Sequence, residues 1–297
     1  MKDVLGSVLL AGALALGAPM AAQAAEFTPQ VGQAGKDVIW VPTPEDLVDR
    51  MLRMAQTTAS DVVYDLGSGD GRTVIAAAKK FGANAFGIEY NPDMVTLSQR
   101  NAQREGVAGK TNFVKADLFE TDLSKATVIT MYLLPSINAR LKPKILDLKP
   151  GTRVVSHAFD MEDWTPDQTD LVEGRRGMLW IVPAKVAGGW KLKIGDGAET
   201  DVSINQRYQM IDGTVHLPRI TTSLREARLL GDRISFTIMD ASANIQAFTG
   251  RVVGDRMEGT ARSASGASWV NTAKVLFGVR YMTIATWTLP SLASQSA

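Results

Sequence analysis

The chain has 297 residues, more than one domain usually contains, so two packed units are expected. Hydrophobic residues make up 45% of it, charged residues 21%, and the net charge of +1 argues against a nucleic-acid partner. The absence of cysteine excludes disulfides, thiolate nucleophiles and cysteine-ligated zinc, and two histidines are too few for a histidine-rich metal site. We therefore expect no metal.

The first 25 residues have the pattern of a targeting segment. Lys2 precedes an apolar run over 4–22, and Ala22-Gln23-Ala24 has the small-x-small form that a signal peptidase cuts. We therefore expect export to the periplasm or envelope. The apolar run is also long enough to remain in the membrane as an anchor. A single lysine does not fix the orientation of such an anchor, so the domain on the cytoplasmic face is an alternative. Membrane contact is expected only if the segment stays uncleaved. A mis-assigned start codon is the remaining alternative.

The residues after this segment predict an α/β unit. Apolar residues at helical spacing from Leu47 to Ala55 predict a first helix, with Thr43 as its N-cap and Pro44 at its first position. From residue 61, short apolar strands alternate with helices. Strands are predicted at 62–66, 85–89, 112–116, 128–133, 153–158 and 178–183, and helices at 72–81, 92–104 and 136–147. This alternation predicts a mostly parallel sheet covered on both faces, with a ligand at the carboxyl ends of its strands.

A second unit begins near residue 186, where apolar and polar residues alternate with period two. That pattern predicts antiparallel strands with one solvated face, in a small β-barrel or sandwich. Gly231-Asp232 and Gly254-Asp255 are predicted to form two hairpin turns of the same kind. The expected organisation is a targeting segment at 1–25, the α/β unit at 26–185, a β-rich module at 186–282 and a tail at 283–297.

A glycine-rich turn follows the first predicted strand of the α/β unit. Glycines stand at 67, 69 and 71, directly after Asp65-Leu66, so the backbone can approach a ligand closely. A dinucleotide-binding loop of the G-x-G-x-x-G type would have glycine at 72, where this chain has Arg72. The departure favours adenosylmethionine over NAD, although an ordinary strand-to-helix turn would show the same glycines.

Three acidic residues follow three successive strands, which is more specific than the glycines alone. Asp65 is the last residue but one of the first strand, Glu89 ends the second, and Asp117 follows the third. A carboxylate at Glu89 can accept hydrogen bonds from both hydroxyls of a ribose, and Asp117 would lie at the height of an adenine amine. Helix capping is the alternative for Asp65, and Asp70 could be a turn residue.

Several other residues are expected to have structural roles. Trp164 and Trp180 are interpreted as core residues rather than a substrate cage. His157 is interpreted as a structural histidine rather than a base, and Arg175-Arg176 as a solvated loop.

Taken in order, the motifs resemble those of one enzyme family. They are Val38-Ile39-Trp40-Val41-Pro42-Thr43, Tyr64 through Arg72, Gly87-Ile88-Glu89-Tyr90-Asn91-Pro92, Lys115-Ala116-Asp117-Leu118, Tyr132-Leu133-Leu134-Pro135-Ser136 and Gly151 through Ser156, with a later Trp164. Over about 38–166 the chain resembles the small protein-lysine methyltransferases that modify the ATP synthase c-subunit and the adenine nucleotide translocase. The segment Tyr132–Ser136 is the most particular to that group.

The resemblance implies a fold, a cofactor and a site. The fold would be a seven-strand Rossmann-like methyltransferase sheet, here with the C-terminal β-barrel or sandwich added, and the cofactor S-adenosylmethionine. The cofactor site would comprise Asp65, Gly67, Ser68, Gly69, Gly71, Glu89, Asn91 and Asp117. By the resemblance, Tyr132, Pro135 and Ser136 would line the place where the acceptor enters. We expect Tyr132, Trp40 and Ser136 to shape that channel. The β-rich module and the exported N-terminus depart from the family pattern.

Three hypotheses on function follow. The first is methylation of an accessible lysine on a protein partner, in an apolar channel that disfavours the ammonium form without a dedicated base. The second is methylation of a small molecule or lipid, with the β-rich module forming part of the pocket. The third is a non-enzymatic binding protein on a methyltransferase fold, against which the joint presence of Gly67, Gly69, Glu89 and Asp117 argues.

Overall fold

The structure is a computed structural model that describes residues 27–194, 198–265 and 268–281. The predicted targeting segment at 1–25 and tail at 283–297 lie outside the described residues. Among those described, none of the helices combines the length and apolar character that a bilayer span requires.

The first unit is built on a seven-strand sheet. Its strands are β1 (Val62–Leu66), β2 (Asn84–Glu89), β3 (Thr111–Lys115), β4 (Val128–Met131), β5 (Arg153–His157), β6 (Gln168–Val172) and β7 (Arg175–Ile181). Their order is β3-β2-β1-β4-β5-β7-β6. The first five run parallel, and β7 is antiparallel to both of its neighbours. The predicted mostly parallel sheet is confirmed. Because β1, β2 and β3 are adjacent and parallel, the loops that follow them lie at one edge of the sheet.

Four helices cover this sheet: α1 (Glu45–Met54), α2 (Arg72–Phe81), α3 (Pro92–Arg104) and α4 (Pro135–Leu146). The predicted bounds of α2 and α3 are confirmed, and α4 begins and ends one residue earlier than predicted. The N-cap prediction is wrong, because Pro44 occupies that position and Thr43 Oγ1 is hydrogen-bonded to His157 Nδ1 at 3.1 Å. The apolar face of α1 is buried against β5 and β7.

The strand β6 and the start of β7 were not predicted. β6 reads Gln-Thr-Asp-Leu-Val at the sheet edge, and Leu171 is 69% exposed, so no buried apolar run marks it. Glu173 and Gly174 both have positive φ, 47° and 76°, and form the tight turn between the two strands. The interpretation of Arg175-Arg176 as a loop is wrong, since these exposed residues open β7.

The second unit is one nine-strand antiparallel sheet. Its strands are β8 (Gly188–Ile194), β9 (Thr200–Arg207), β10 (Met210–Leu217), β11 (Ile220–Ser223), β12 (Arg225–Leu230), β13 (Arg233–Met239), β14 (Ile245–Val253), β15 (Arg256–Ser265) and β16 (Ser268–Tyr281). The order is β11-β10-β9-β8-β16-β15-β14-β13-β12. β10 lies against β12, so the sheet curls toward closure as in the barrel alternative. Inward side chains such as Trp190, Phe236 and Phe248 form its core.

Both predicted hairpin turns are present. Gly231 and Gly254 have φ values of 59° and 56°, which allow the two-residue connections from β12 to β13 and from β14 to β15. The change from one sheet to the other falls between Ile181 and Gly188, where the predicted boundary at 185/186 lies.

The turn between β9 and β10 joins the two units. Tyr208 in this turn stacks on Trp164 with ring centroids 5.7 Å apart, and the Trp164 indole donates a hydrogen bond to Gln209 Oε1 at 2.9 Å. Trp164 and Trp180 are fully buried, so their interpretation as core residues is confirmed.

Candidate active site

A cavity of about 600 Å³ opens at the carboxyl ends of β1, β2, β3 and β4. On one side it is lined by the loops that follow these strands. On the other it is covered by residues 33–43, which precede α1. The position agrees with the rule for ligands of open α/β sheets.

The glycine loop after β1 provides the floor of the cavity. At Gly69, with φ of 55°, a Cβ would stand 2.5 Å from Nε1 of the Trp40 indole, so a side chain there would displace the tryptophan. Gly71 caps α2 and faces away from the cavity, where a Cβ would meet Ser98 and Phe113 within 2.9 Å. Gly71 was predicted to contact the cofactor, but the structure places it in helix–sheet packing.

Glu89 is held in a fixed orientation at the end of β2. Its Oε2 accepts a hydrogen bond from the Gly69 backbone N–H and its Oε1 from the Asn91 N–H, both at 2.9 Å. Asn91 caps α3 by accepting a hydrogen bond from the Asp93 N–H, and both Glu89 and Asn91 line the cavity. The carboxylate therefore presents its remaining lone pairs to a ligand.

Asp65 lies deeper, under the glycine loop. Only 6% of its surface is exposed, and its Oδ1 accepts a hydrogen bond from the Thr130 hydroxyl at 2.6 Å. Burial raises the pKa of Asp65 to about 7, and the nearby Asp70 and Glu89 carboxylates add to the shift. Ser68 is also buried, and its Oγ has no hydrogen-bond partner in the described structure. Asp70 pairs with Arg72 at 2.7 Å and serves the turn.

The raised pKa of Asp65 predicts a pH-dependent cost to stability. The Asp65 carboxyl keeps its proton up to about pH 7 in the folded protein but loses it near pH 3.8 in the unfolded chain. Folding therefore takes up a proton between about pH 4 and 7, and the free energy of unfolding falls as pH rises through that window. Asp65→Asn keeps the acceptor for Thr130 and removes the titration. We expect the variant's advantage in unfolding free energy to grow across this window, to at most about 4 kcal/mol, and then to level off. Urea unfolding at several pH values measures it, and a pH-independent difference would contradict it.

Asp117 stands at the third position of the same edge, after β3. Its Oδ1 accepts the Phe119 backbone N–H at 2.9 Å and its Oδ2 accepts the Lys36 ammonium at 2.5 Å. Lys36 and the Phe119 amide hold the pKa of this carboxyl below its usual range. The structure thus brings Asp65, Glu89 and Asp117 to one cavity, as the sequence predicted from their spacing.

Aromatic rings form another wall of the cavity. Tyr132, after β4, stacks with both His157 and Phe159, and its ring centroid lies 3.8 and 6.0 Å from theirs. Ala158, which separates His157 from Phe159 in the chain, has φ of 64°, in the left-handed region. Burial, with a smaller effect of Arg175, lowers the pKa of His157 to about 4, so the ring is neutral at physiological pH.

The predicted acceptor residues are brought together only in part. Trp40 and Tyr132 line the cavity, whereas Pro135 and Ser136 are exposed in the first turn of α4 and do not; Leu134 and Ile137 line it instead. Sequence reasoning missed Phe159 and Lys36. Phe159 follows a strand end that carries no glycine, and Lys36 lies in a polar segment without periodicity.

The cavity has the features that an adenosylmethionine cofactor needs. Backbone at Gly67 and Gly69 is free to approach a ligand, Glu89 suits the ribose hydroxyls, and Asp117 suits an amine donor. Together with the strand order, these residues define a methyltransferase that uses S-adenosylmethionine.

Comparison with known proteins gives the family. Residues 65–168 match the model of the ANTKMT methyltransferase domain. A protein-lysine N-methyltransferase of Saccharolobus islandicus is 49% identical over 46% of this chain and 86% of its own length. The lysine N-methyltransferase of the ATP synthase c-subunit in Rattus norvegicus is 37% identical over 48% of this chain and 66% of its own. The chain belongs to the protein-lysine N-methyltransferase family, which confirms the predicted resemblance.

A solved structure is also similar in sequence. It is described as an RNA methyltransferase from Salinibacter ruber in complex with S-adenosyl-L-homocysteine, and it is 52% identical. The match covers 49% of this chain and 96% of that one, with a TM-score of 0.48.

Proposed function

We propose that the protein methylates the ε-amino group of a lysine in a protein, and that the cavity beneath residues 33–43 is where it does so. The observation that supports this best is the joint lining of one cavity by Glu89 and Asp117 on one side and by Tyr132 and Phe159 on another. The first side suits a nucleoside, and the second suits an aliphatic chain that ends in an amine.

The residues of the cavity act mainly by orientation. S-adenosylmethionine supplies a methyl group on a sulfonium, which is already activated and has a good leaving group. Glu89 would hold the ribose of the cofactor and Asp117 the amine of its base, and the glycine loop would allow the cofactor to approach the backbone closely. Alignment of the methyl group and its acceptor can contribute most of the rate enhancement of methyl transfer, because it replaces a bimolecular encounter.

The aromatic wall prepares the acceptor. A lysine ammonium with a pKa near 10.4 must lose its proton before its nitrogen can attack. Surrounding it with Trp40, Tyr132 and Phe159 removes water and favours the neutral amine. His157 behind Tyr132 stays uncharged and therefore adds no second cation to the channel.

Methyl-labelled S-adenosylmethionine tests this function. The full-length protein is incubated with soluble and envelope fractions from cells that lack the gene, and label is followed into protein and into lipid extracts. We expect label on lysine, identified by mass spectrometry of peptides, and none with the Glu89→Ala protein. Label in the lipid extract alone would show that the acceptor is a lipid and not a protein. No transfer to any fraction would favour a non-enzymatic binding protein.

We propose in addition that the first 25 residues direct export. The basis is the order of Lys2, the apolar run and Ala22-Gln23-Ala24. The N-terminus of protein isolated from the envelope fraction should then begin at Ala25. An intact N-terminus on membrane-bound protein would support the anchor instead, and would allow the domain to face the cytosol, where adenosylmethionine is made.

A further inference from the structure

Residues 32–40 form a small hairpin over the cavity, which we call the strap. The Gly32 N–H donates to the Trp40 carbonyl at 2.8 Å, and the Trp40 N–H donates to the Gln33 carbonyl at 2.9 Å. A turn from Gly35 to Val38 closes the hairpin and places Lys36 at its tip. The strap therefore carries Trp40 to the glycine loop at its base and Lys36 to the far end of the cavity.

The Lys36 ammonium is held by two groups that both belong to the cavity. It donates to Asp117 Oδ2 at 2.5 Å, and it lies 4.7 Å from the centre of the Tyr90 ring. Tyr90 follows β2 and Asp117 follows β3, so Lys36 fills the gap between two adjacent strand ends. Attraction to Asp37, at 4.0 Å, is weaker because that carboxylate is farther away and more exposed.

An adenine base would present the same chemistry in this gap. Its exocyclic amine donates a hydrogen bond as the ammonium does, and its flat ring suits the face of Tyr90. Asp117 accepts the Phe119 N–H at Oδ1 and the Lys36 ammonium at Oδ2, so a base entering this gap meets a carboxylate that already has a donor on each oxygen. Lys36 and the base thus seek the same carboxylate in the same gap.

We propose that Lys36 competes with the adenine amine for Asp117, so that the strap must release this contact when the nucleoside enters, and Lys36 thereby sets cofactor affinity and base selectivity. The inference rests on the proposed cofactor site. The lysine and aspartate side chains are both partly accessible to solvent, at 35% and 28%, so the contact can exchange. A pair of this kind contributes little to folding, so its loss should leave the fold intact.

The test is calorimetric titration of the full-length protein with S-adenosylhomocysteine. Lys36→Met should tighten binding by about two- to fivefold, the range of a surface ion pair. Lys36→Arg keeps the cation and should bind like the wild type. Lys79→Met removes another lysine in an exposed ion pair, at 2.6 Å from Glu105 and remote from the cavity, and should leave the affinity unchanged.

A second ligand separates competition from a structural role. The inosine analogue of S-adenosylhomocysteine carries a carbonyl where adenine carries its amine, so Lys36 can donate to it. Lys36→Met should therefore weaken binding of the analogue while it tightens binding of the adenosine form. A shift of both ligands in the same direction, or no shift with either, would overturn the inference. A folded wild-type protein that binds neither ligand would instead overturn the cofactor site itself.

Discussion

Replacing Glu89 with alanine is expected to weaken binding of S-adenosylhomocysteine by about 100-fold or more. A carboxylate that accepts two hydrogen bonds from ribose hydroxyls contributes on the order of 3 kcal/mol, and each 1.4 kcal/mol corresponds to about a factor of ten. The substitution also frees the Gly69 and Asn91 backbone N–H groups, which the two carboxylate oxygens now hold at 2.9 Å. The glycine loop would then lose part of its fixed shape as well as the ribose contact.

Two controls make this result specific. Glu89→Gln keeps one acceptor oxygen at nearly the same size, so its affinity should fall between those of the wild type and the alanine variant. Glu105→Ala removes an exposed carboxylate at the end of α3 and should bind normally. Calorimetry measures the affinities, and circular dichroism shows that each variant is folded. An affinity of the Glu89→Ala protein within threefold of the wild type would show that Glu89 does not bind the cofactor.

The local patterns of the sequence were sufficient for the helices and the central strands. α2 and α3 begin and end as predicted because Gly71 and Gly82 bound the first and Asn91-Pro92 opens the second. β6 escaped prediction because its stability comes from pairing with β7 rather than from burying an apolar run. An edge strand of this kind has no signature in its own residues.

The residues of the candidate site also include some that the sequence predicts and some that it does not. Asp65, Glu89 and Asp117 could be placed together because the carboxyl ends of neighbouring parallel strands share one edge. Phe159 and Lys36 reach the cavity through tertiary contacts, one by a left-handed Ala158 and the other by the strap, and neither follows from spacing. Ser136 and Pro135 sit close in sequence to Tyr132, but the start of α4 turns them to the outside.

Trp164 makes part of the contact between the two units, and its replacement is the second change with a large expected effect. Its side chain is fully buried in the first unit, stacks on Tyr208 and donates to Gln209 of the second. Trp164→Ala would leave a cavity and remove both contacts, so we expect a loss of about 3–5 kcal/mol in unfolding free energy. The units would keep the exposed hydrogen bonds from Tyr208 to Asp163 and from Gln209 to the Thr165 carbonyl, and the approach of Gly231 to Gly151. Their coupling should nonetheless weaken, and we expect unfolding to separate into two transitions.

Urea unfolding followed by tryptophan fluorescence and by far-UV circular dichroism measures both effects. Trp190→Ala is the matched control, since Trp190 is equally buried but belongs to the core of the second unit and donates to the Val186 carbonyl. It should lower stability by a similar amount without breaking the contact at Tyr208. If Trp164→Ala still unfolds in one transition with coincident probes, the remaining contacts are sufficient to couple the two units. Cofactor affinity should survive the substitution, because Trp164 does not line the cavity, and its loss would mean that the second unit supports the site.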